Sequence, residues 1–387
     1  SKLTRPLAEK EFPVRITDVQ AIILRQPTVD ATRADGSQDA LLIRIETDDG
    51  ITGIGEVDSL PSIIKAIVDA PPSHSNAMGL RSILIGENPL EIDHLWHKMY
   101  RGSIYYGRQS AAIHAMSGID IALWDIKGKA LGLPIHTLLG GPHRQQIRAY
   151  ASTLMPDTPK ETASVVSGLV ERGFTAIKLG WGPFGKDANL DVTLVRAARE
   201  AAGDGVDLMF DIGMGWFSAD HAIRQVRRFE PYNPYWVEEP FWPDETAAYR
   251  KLADTVETRI ACGEEDTTHW GFARLMEETH VDVVQPDVTR AGGISELIKI
   301  AHQADLRGVT MVPHSWSTGI IKAASLQVIG AMPNATFLEY CVQETELNQL
   351  LTVERFPVVD GSVALPTKPG LGIEIDEDVV HRYAVGA

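Results

Sequence analysis

The chain runs to 387 residues, more than one small core fills, so a domain of roughly 200 to 250 residues with a second unit beside it is the first expectation. Hydrophobic residues at 44% and charged residues at 23% exclude disorder, collagen and coiled coil, and a formal charge of −16 repels a phosphate backbone, arguing against nucleic acid as a partner. No apolar run reaches the ~18 residues that span a bilayer, residues 1–12 are polar without a signal-peptide centre, and Cys262 and Cys341 read as buried core residues, so a cytoplasmic protein with no membrane partner is expected.

In chain order, residues 14–25, 40–47 and 51–57 alternate around β-branched side chains, and Asp49-Gly50 between the last two supplies a hairpin turn. The polar stretch 27–39 is longer than a hairpin needs and reads as a lid or a plain solvated loop. Residues 109–131 form one helix: Ile113, Met116, Ile119, Leu123 and Ile126 recur at helical spacing, with Gly132 and Pro134 ending it. Asp120 and Asp125 within it are read as capped or paired carboxylates rather than ligands.

From Gln146 the pattern changes to short apolar strands alternating with helical segments, which predicts parallel βα units. Eight strands are expected at 147–151, 176–179, 207–210, 235–237, 259–262, 281–285, 310–313 and 336–338, the number that closes a (β/α) barrel of the TIM type. The division predicted is an α+β capping domain over 1–135, the barrel over 136–355, and a C-terminal segment, 356–387, that returns to the capping domain.

The polar residues that end these strands are Ser152, Lys178, Asp211, Glu238, Glu264, Asp287, His314 and Glu339. A barrel gathers strand ends onto one rim, where Asp211, Glu238 and Glu264 would repel one another without a cation between them. An all-oxygen donor set favours a hard ion, and Mg²⁺ is the expected cofactor. Taken singly, each carboxylate also fits a helix cap or an ion pair, His314 a buried core histidine, and Lys178 an ion-pair partner.

Phe210-Asp211, Trp236-Val237-Glu238-Glu239-Pro240, Gly263-Glu264, Gln285-Pro286-Asp287, Gly292-Gly293-Ile294, Pro313-His314-Ser315 and Phe337-Leu338-Glu339, in this order and spacing, resemble the enolase superfamily and its mandelate racemase subgroup. The resemblance covers nearly the whole chain. It implies a capping domain on a modified barrel, Mg²⁺ on Asp211, Glu238 and Glu264, and removal of the proton α to a carboxylate. It further implies that His314 is the base, that Asp287 accepts from its Nδ1, that Lys178 adds positive charge, and that a protonated Glu339 donates to the substrate carboxylate. By the same analogy the protein forms a homo-oligomer.

Two positions depart from that pattern. Where two-base relatives carry Lys-x-Lys, this chain has Lys178-Leu179-Gly180, so the second base is missing; Tyr105, Tyr106 and Lys186 are the candidate replacements. Gly213 stands where many relatives have Asn, and the two glycines are expected to leave room beside the metal. A single imidazole suits syn dehydration, so the expected activity is dehydration of a small-molecule carboxylate, a sugar acid, to a 2-keto-3-deoxy acid. The alternatives are a racemase or epimerase of a 2-hydroxy carboxylate and a non-catalytic acid-binding barrel. Ser152, Arg33, Tyr106 and Trp316 are the expected substrate contacts, with Arg108 beside them.

Overall fold

The computed structural model describes residues 14–386; the polar stretch 1–12 lies outside the described residues. Among those described, no helix is long and apolar enough to cross a membrane. Near the N-terminus β1 (Ile16–Arg25), β2 (Asp39–Thr47) and β3 (Thr52–Val57) form an antiparallel sheet in that order, with the β2–β3 turn at Gly50 in the left-handed region. The helix Ala111–Leu131 packs across this sheet and is buried along most of its length. Glycine permits the contact: a Cβ on Gly55 would lie 1.9 Å from the Gly118 carbonyl oxygen, and one on Gly53 2.2 Å from that of Ala122.

The barrel strands are β4 (Gln146–Leu154), β5 (Ala176–Gly180), β6 (Asp207–Asp211), β7 (Pro234–Glu238), β8 (Arg259–Cys262), β9 (Val283–Val284), β10 (Thr310–Met311) and β11 (Phe337–Cys341). They pair in the order β10-β9-β8-β7-β6-β5-β4-β11, and a parallel bridge between Met311 and Ala335 closes the ring. The expected barrel is the observed architecture, although β9 and β10 are shorter than predicted. Pro286 and Pro313 follow them closely and cannot donate to a ladder, so regular pairing stops while Gln285 N–H and Val312 N–H still bond to the adjoining strands.

Inside the ring a floor of buried side chains takes one residue from each barrel segment: Tyr150, Ala176, Met209, Trp236, Ala261, Val283, Val312 and Phe337. Side chains on a strand return to the same face every second residue. Two residues beyond the floor come Ser152, Lys178, Asp211, Glu238, Gly263, Gln285, His314 and Glu339, so the polar layer is the next tier of the same packing.

The C-terminal stretch serves both units rather than returning to the capping sheet alone. Residues Ser362–Ala364 (β12) pair antiparallel with the start of β4. The helix Glu377–Tyr383 then packs on β1, with Arg44 Nη2 2.6 Å from Glu377 Oε1. Asp125 pairs with Lys129 and accepts from the N–H groups of Ile54 and Leu371, and Asp120 accepts from Ser295 N–H and hydroxyl. Both aspartates are tied up in structure, as their placement in an apolar helix implies.

Candidate active site

Asp211 and Glu238 end β6 and β7, and Glu264 follows Gly263, whose φ of 122° turns the chain so that Glu264 enters the polar tier one residue late. The three are buried, and each brings a carboxylate oxygen within 4.8 Å of the others. Glu238 Oε2 accepts from Trp236 Nε1 and Gln285 Nε2, both at 2.8 Å, and Lys178 Nζ contacts its other oxygen. Burial pushes the Asp211 carboxyl well above the usual range, and the neighbouring Glu238 and Glu264 charges push it further, although Lys178 opposes them. Burial also raises Glu238 in spite of Lys178. Each of these costs is one that a cation among the three oxygens relieves, so the donor set fits a divalent ion.

Facing Glu264, His314 Nε2 lies 3.5 Å from its Oε2, and His314 Nδ1 lies 2.6 Å from Asp287 Oδ2. Asp287 Oδ1 accepts from Thr289 N–H and hydroxyl, both at 2.6 Å, which fixes the carboxylate that orients the ring. Burial disfavours the imidazolium, yet Glu264, Glu339 and Asp287 outweigh it and carry His314 to about 10. With the carboxylates unneutralised, His314 is therefore charged.

Glu339 lies on β11 at the same rim. Burial opposes its ionisation, but Lys178 and His314 hold it at about 2, and its Oε2 accepts from Ser315 N–H at 2.8 Å. Lys178 Nζ lies 2.9 Å from Glu339 Oε1; burial weakens its charge, but Glu238 and Glu339 prevail and raise it well above the usual lysine range.

Lys178, Asp211, Glu264, His314 and Glu339 line a cavity of about 240 Å³, together with Ser152, whose buried hydroxyl has no hydrogen-bond partner among the described residues, and Trp316, whose Nε1 lies 3.4 Å from Asp35 Oδ1. Arg33 and Lys186 are not on it; they line an adjoining groove of about 550 Å³ that shares Ala34, Leu154 and Trp181 with the cavity. Tyr106 is not brought to the site either, because its hydroxyl donates to Met78 carbonyl at 2.6 Å in a surface cleft beside Ile63. Tyr105 is 73% exposed against His74, and Arg108 is exposed, so neither tyrosine replaces the missing lysine.

The expected space beside the metal residues is also filled. A Cβ on Gly180 would fall 2.3 Å from Asp211 Cβ, and one on Gly213 would fall 2.8 Å from the Trp181 ring. Trp181 takes a left-handed φ of 58°, which carries its indole over Gly213. The segment Trp181-Gly182-Pro183-Phe184-Gly185 is legible in the sequence as a candidate for this wall, and Trp181 lies on it; Arg290, and Asp58 behind it, are residues that sequence reasoning missed. Arg290 Nη2 meets Asp58 Oδ2 at 2.7 Å and Nη1 lies 3.6 Å from Glu264 Oε1, so an aspartate one residue past β3 reaches the polar rim through it. A lone arginine three residues after Asp287, in a strand-end loop, was the only signal for it.

The family description "Mandelate racemase / muconate lactonizing enzyme, N-terminal domain" matches residues 13–140, and "Enolase C-terminal domain-like" matches 161–379. The chain belongs to the enolase superfamily. Within that superfamily it falls in the mandelate racemase group, and it is an enzyme. It is 34% identical over 361 residues to the D-galactonate dehydratase of Pectobacterium atrosepticum, covering 90% of this chain and 91% of that one. It is 35% identical over 355 residues to the D-galactarolactone cycloisomerase of Agrobacterium fabrum, covering 89% and 90%. The crystal structure of the 3,6-anhydro-D-galactonate cycloisomerase from Zobellia galactanivorans superposes with a TM-score of 0.87 at 30% identity, over 96% of this chain and 99% of that one. Membership of the enolase superfamily implies a divalent metal, in keeping with the carboxylate trio.

Proposed function

We propose that this enzyme is a hydro-lyase, a Mg²⁺-dependent dehydratase that converts a sugar acid, an aldonate or aldarate, to its 2-keto-3-deoxy acid. The observation that carries the reading is a single imidazole on the cavity. His314 brings Nε2 to it, Gly180 and Trp181 bring no basic group, and Lys178 is held charged. The dehydratase relative points the same way.

Asp287 accepts from His314 Nδ1–H and so leaves Nε2 as the proton acceptor. Nε2 takes the proton from C2, and the electron pair left behind spreads onto the carboxylate as an enediolate. The imidazolium then returns that proton to the 3-hydroxyl on its own side. The C3–O bond breaks, water departs, a C2–C3 double bond forms, and the enol ketonises by taking a solvent proton at C3. Asp211, Glu238 and Glu264 would hold Mg²⁺, which when bound supplies Lewis-acid stabilisation of the charge on the carboxylate oxygens. Lys178 adds a fixed positive charge there, and Glu339 anchors that ammonium. The unpartnered Ser152 hydroxyl is free to bond a substrate oxygen, Trp316 bounds the cavity, and Arg33 and Lys186 suit the far end of a longer acid. A cytoplasmic location and a homo-oligomeric assembly belong to the same proposal, supported by two free buried cysteines and by analogy with the family.

The test is a panel of mono- and diacid sugars incubated with the enzyme and Mg²⁺ in D₂O. The expected product is a 2-keto-3-deoxy acid with solvent deuterium at C3. Recovered substrate inverted at C2 and deuterated, with no keto acid, would reject dehydration for racemisation. A second reading, opening of a sugar-acid lactone or anhydro ring, is favoured by the two cycloisomerase relatives. It begins with the same proton abstraction, and a product of unchanged mass from such a substrate would select it.

A further inference from the structure

Behind the wall that carries Glu339 lies a second cavity, of about 120 Å³. It opens between the helix Gly319–Ala331, β11 and the helix Glu346–Leu350, and Lys322, Tyr340, Asn348, Thr352 and Arg355 line it. Tyr340 is adjacent to Glu339 on β11 and so faces away from the barrel interior, which separates this cavity from the catalytic one.

Lys322 is only 2% exposed, yet no carboxylate lies within 4.0 Å of its nitrogen among the described residues. Its Nζ donates to Asn348 Oδ1 at 2.6 Å and stands 4.6 Å from the centre of the Tyr340 ring. An ammonium has three donors, so two remain unspent among the described residues. Burial pushes Lys322 down to about 8, against the opposing pull of Cys341 and Glu56. Arg355 gives its Nη1 to the carbonyls of Thr352, Val353 and Glu354 and likewise has no carboxylate within 4.0 Å among the described residues. The one carboxylate on the lining, Glu354, is taken by Lys368 Nζ and Glu374 N–H, both at 2.7 Å. A buried lysine and an exposed arginine, neither with a carboxylate within 4.0 Å among the described residues, therefore share one small cavity in a chain of net charge −16.

We infer that this cavity binds a small oxyanion, of the size of inorganic phosphate, between Lys322 and Arg355. The volume exceeds the ~30 Å³ share of one water several times over, and it is too small for a sugar acid. A bound oxyanion would accept the free N–H groups of both cations and restore the counter-charge that Lys322 lacks.

The experiment is calorimetric and thermal titration of the full chain with inorganic phosphate, sulfate, acetate and chloride. The background is Asp211→Asn, which weakens anion capture through metal at the catalytic carboxylates and keeps this result independent of the proposed reaction. A saturable rise in melting temperature with phosphate is expected. Lys322→Met and Arg355→Met should each weaken binding by about tenfold or more, since each removes charge-assisted hydrogen bonds. Should Lys322→Met not fold, Arg355→Met on an exposed side chain carries the same test. Absence of saturable binding, binding of chloride alone, or undiminished binding in Arg355→Met would overturn the inference.

Discussion

His314 is held from one side by Asp287 at 2.6 Å and faces Glu264 at 3.5 Å from the other, so its charge is set by carboxylates on both sides. Replacing it with Asn keeps a hydrogen-bonding side chain while removing the proposed base. We expect His314→Asn to lower kcat by roughly 10³-fold with little change in KM, read from keto-acid formation at saturating Mg²⁺. The raised value of about 10 also predicts a stability effect without metal. A histidine raised on folding stabilises fully below its unfolded value of about 6.5, and that contribution is lost as pH rises through the folded value. In EDTA the melting-temperature gap between parent and His314→Asn should thus be full at about pH 6.5, narrow as pH rises from there, and close above pH 10. A gap independent of pH would contradict this.

Strand spacing explains why the polar tier forms. Tyr150, Met209, Trp236 and Phe337 pack the floor, and the residues two places on, Ser152, Asp211, Glu238 and Glu339, stand above it. At β5 the same rule brings up Lys178, and the strand then runs against β6 so closely that Gly180 admits no side chain. Gly180→Ala should cost roughly 3 kcal/mol in denaturant unfolding, because Asp211 backbone and Cβ occupy the position. Gly180→Lys should lose activity without acquiring racemisation, checked by polarimetry and keto-acid assay together. If it folded normally and inverted C2, the close approach would not be what excludes a second base.

The capping unit meets the barrel through buried polar contacts rather than an apolar seam alone. Glu56 on β3 accepts from Ser317 and Thr318 hydroxyls and from Ile321 N–H, tying the capping sheet to the segment just beyond His314. One residue past β3, Asp58 receives Arg290 on its carboxylate at 2.7 Å and on its carbonyl at 3.0 Å. Arg290→Met should destabilise by roughly 3 to 5 kcal/mol, the usual cost of leaving one charge of a buried pair behind. Adding Asp58→Leu should recover part of that loss in a double-mutant cycle monitored by denaturant unfolding. Additive losses would mean that the pair is not the link between the units.

Short-range patterning made the eight strands legible, because each is a run of apolar residues ended by a polar one, and it brought Asp211, Glu238 and Glu264 into a single prediction through their regular recurrence. It failed at Tyr106, whose hydroxyl is claimed by Met78 carbonyl, and it carries no information on the charge of Glu339, which depends on Lys178 and His314 arriving from other strands. Asp58 and Arg290 were invisible as partners because 232 positions separate them. By itself, then, the order of residues determined the barrel, its polar rim and the kind of ion that rim suits, since strand periodicity and residue type are local properties. Only the folded chain decided which side chains are charged, which glycines are already occupied by neighbours and which loop reaches the cavity. Burial and Coulomb interaction act between groups that meet only once the ring has closed.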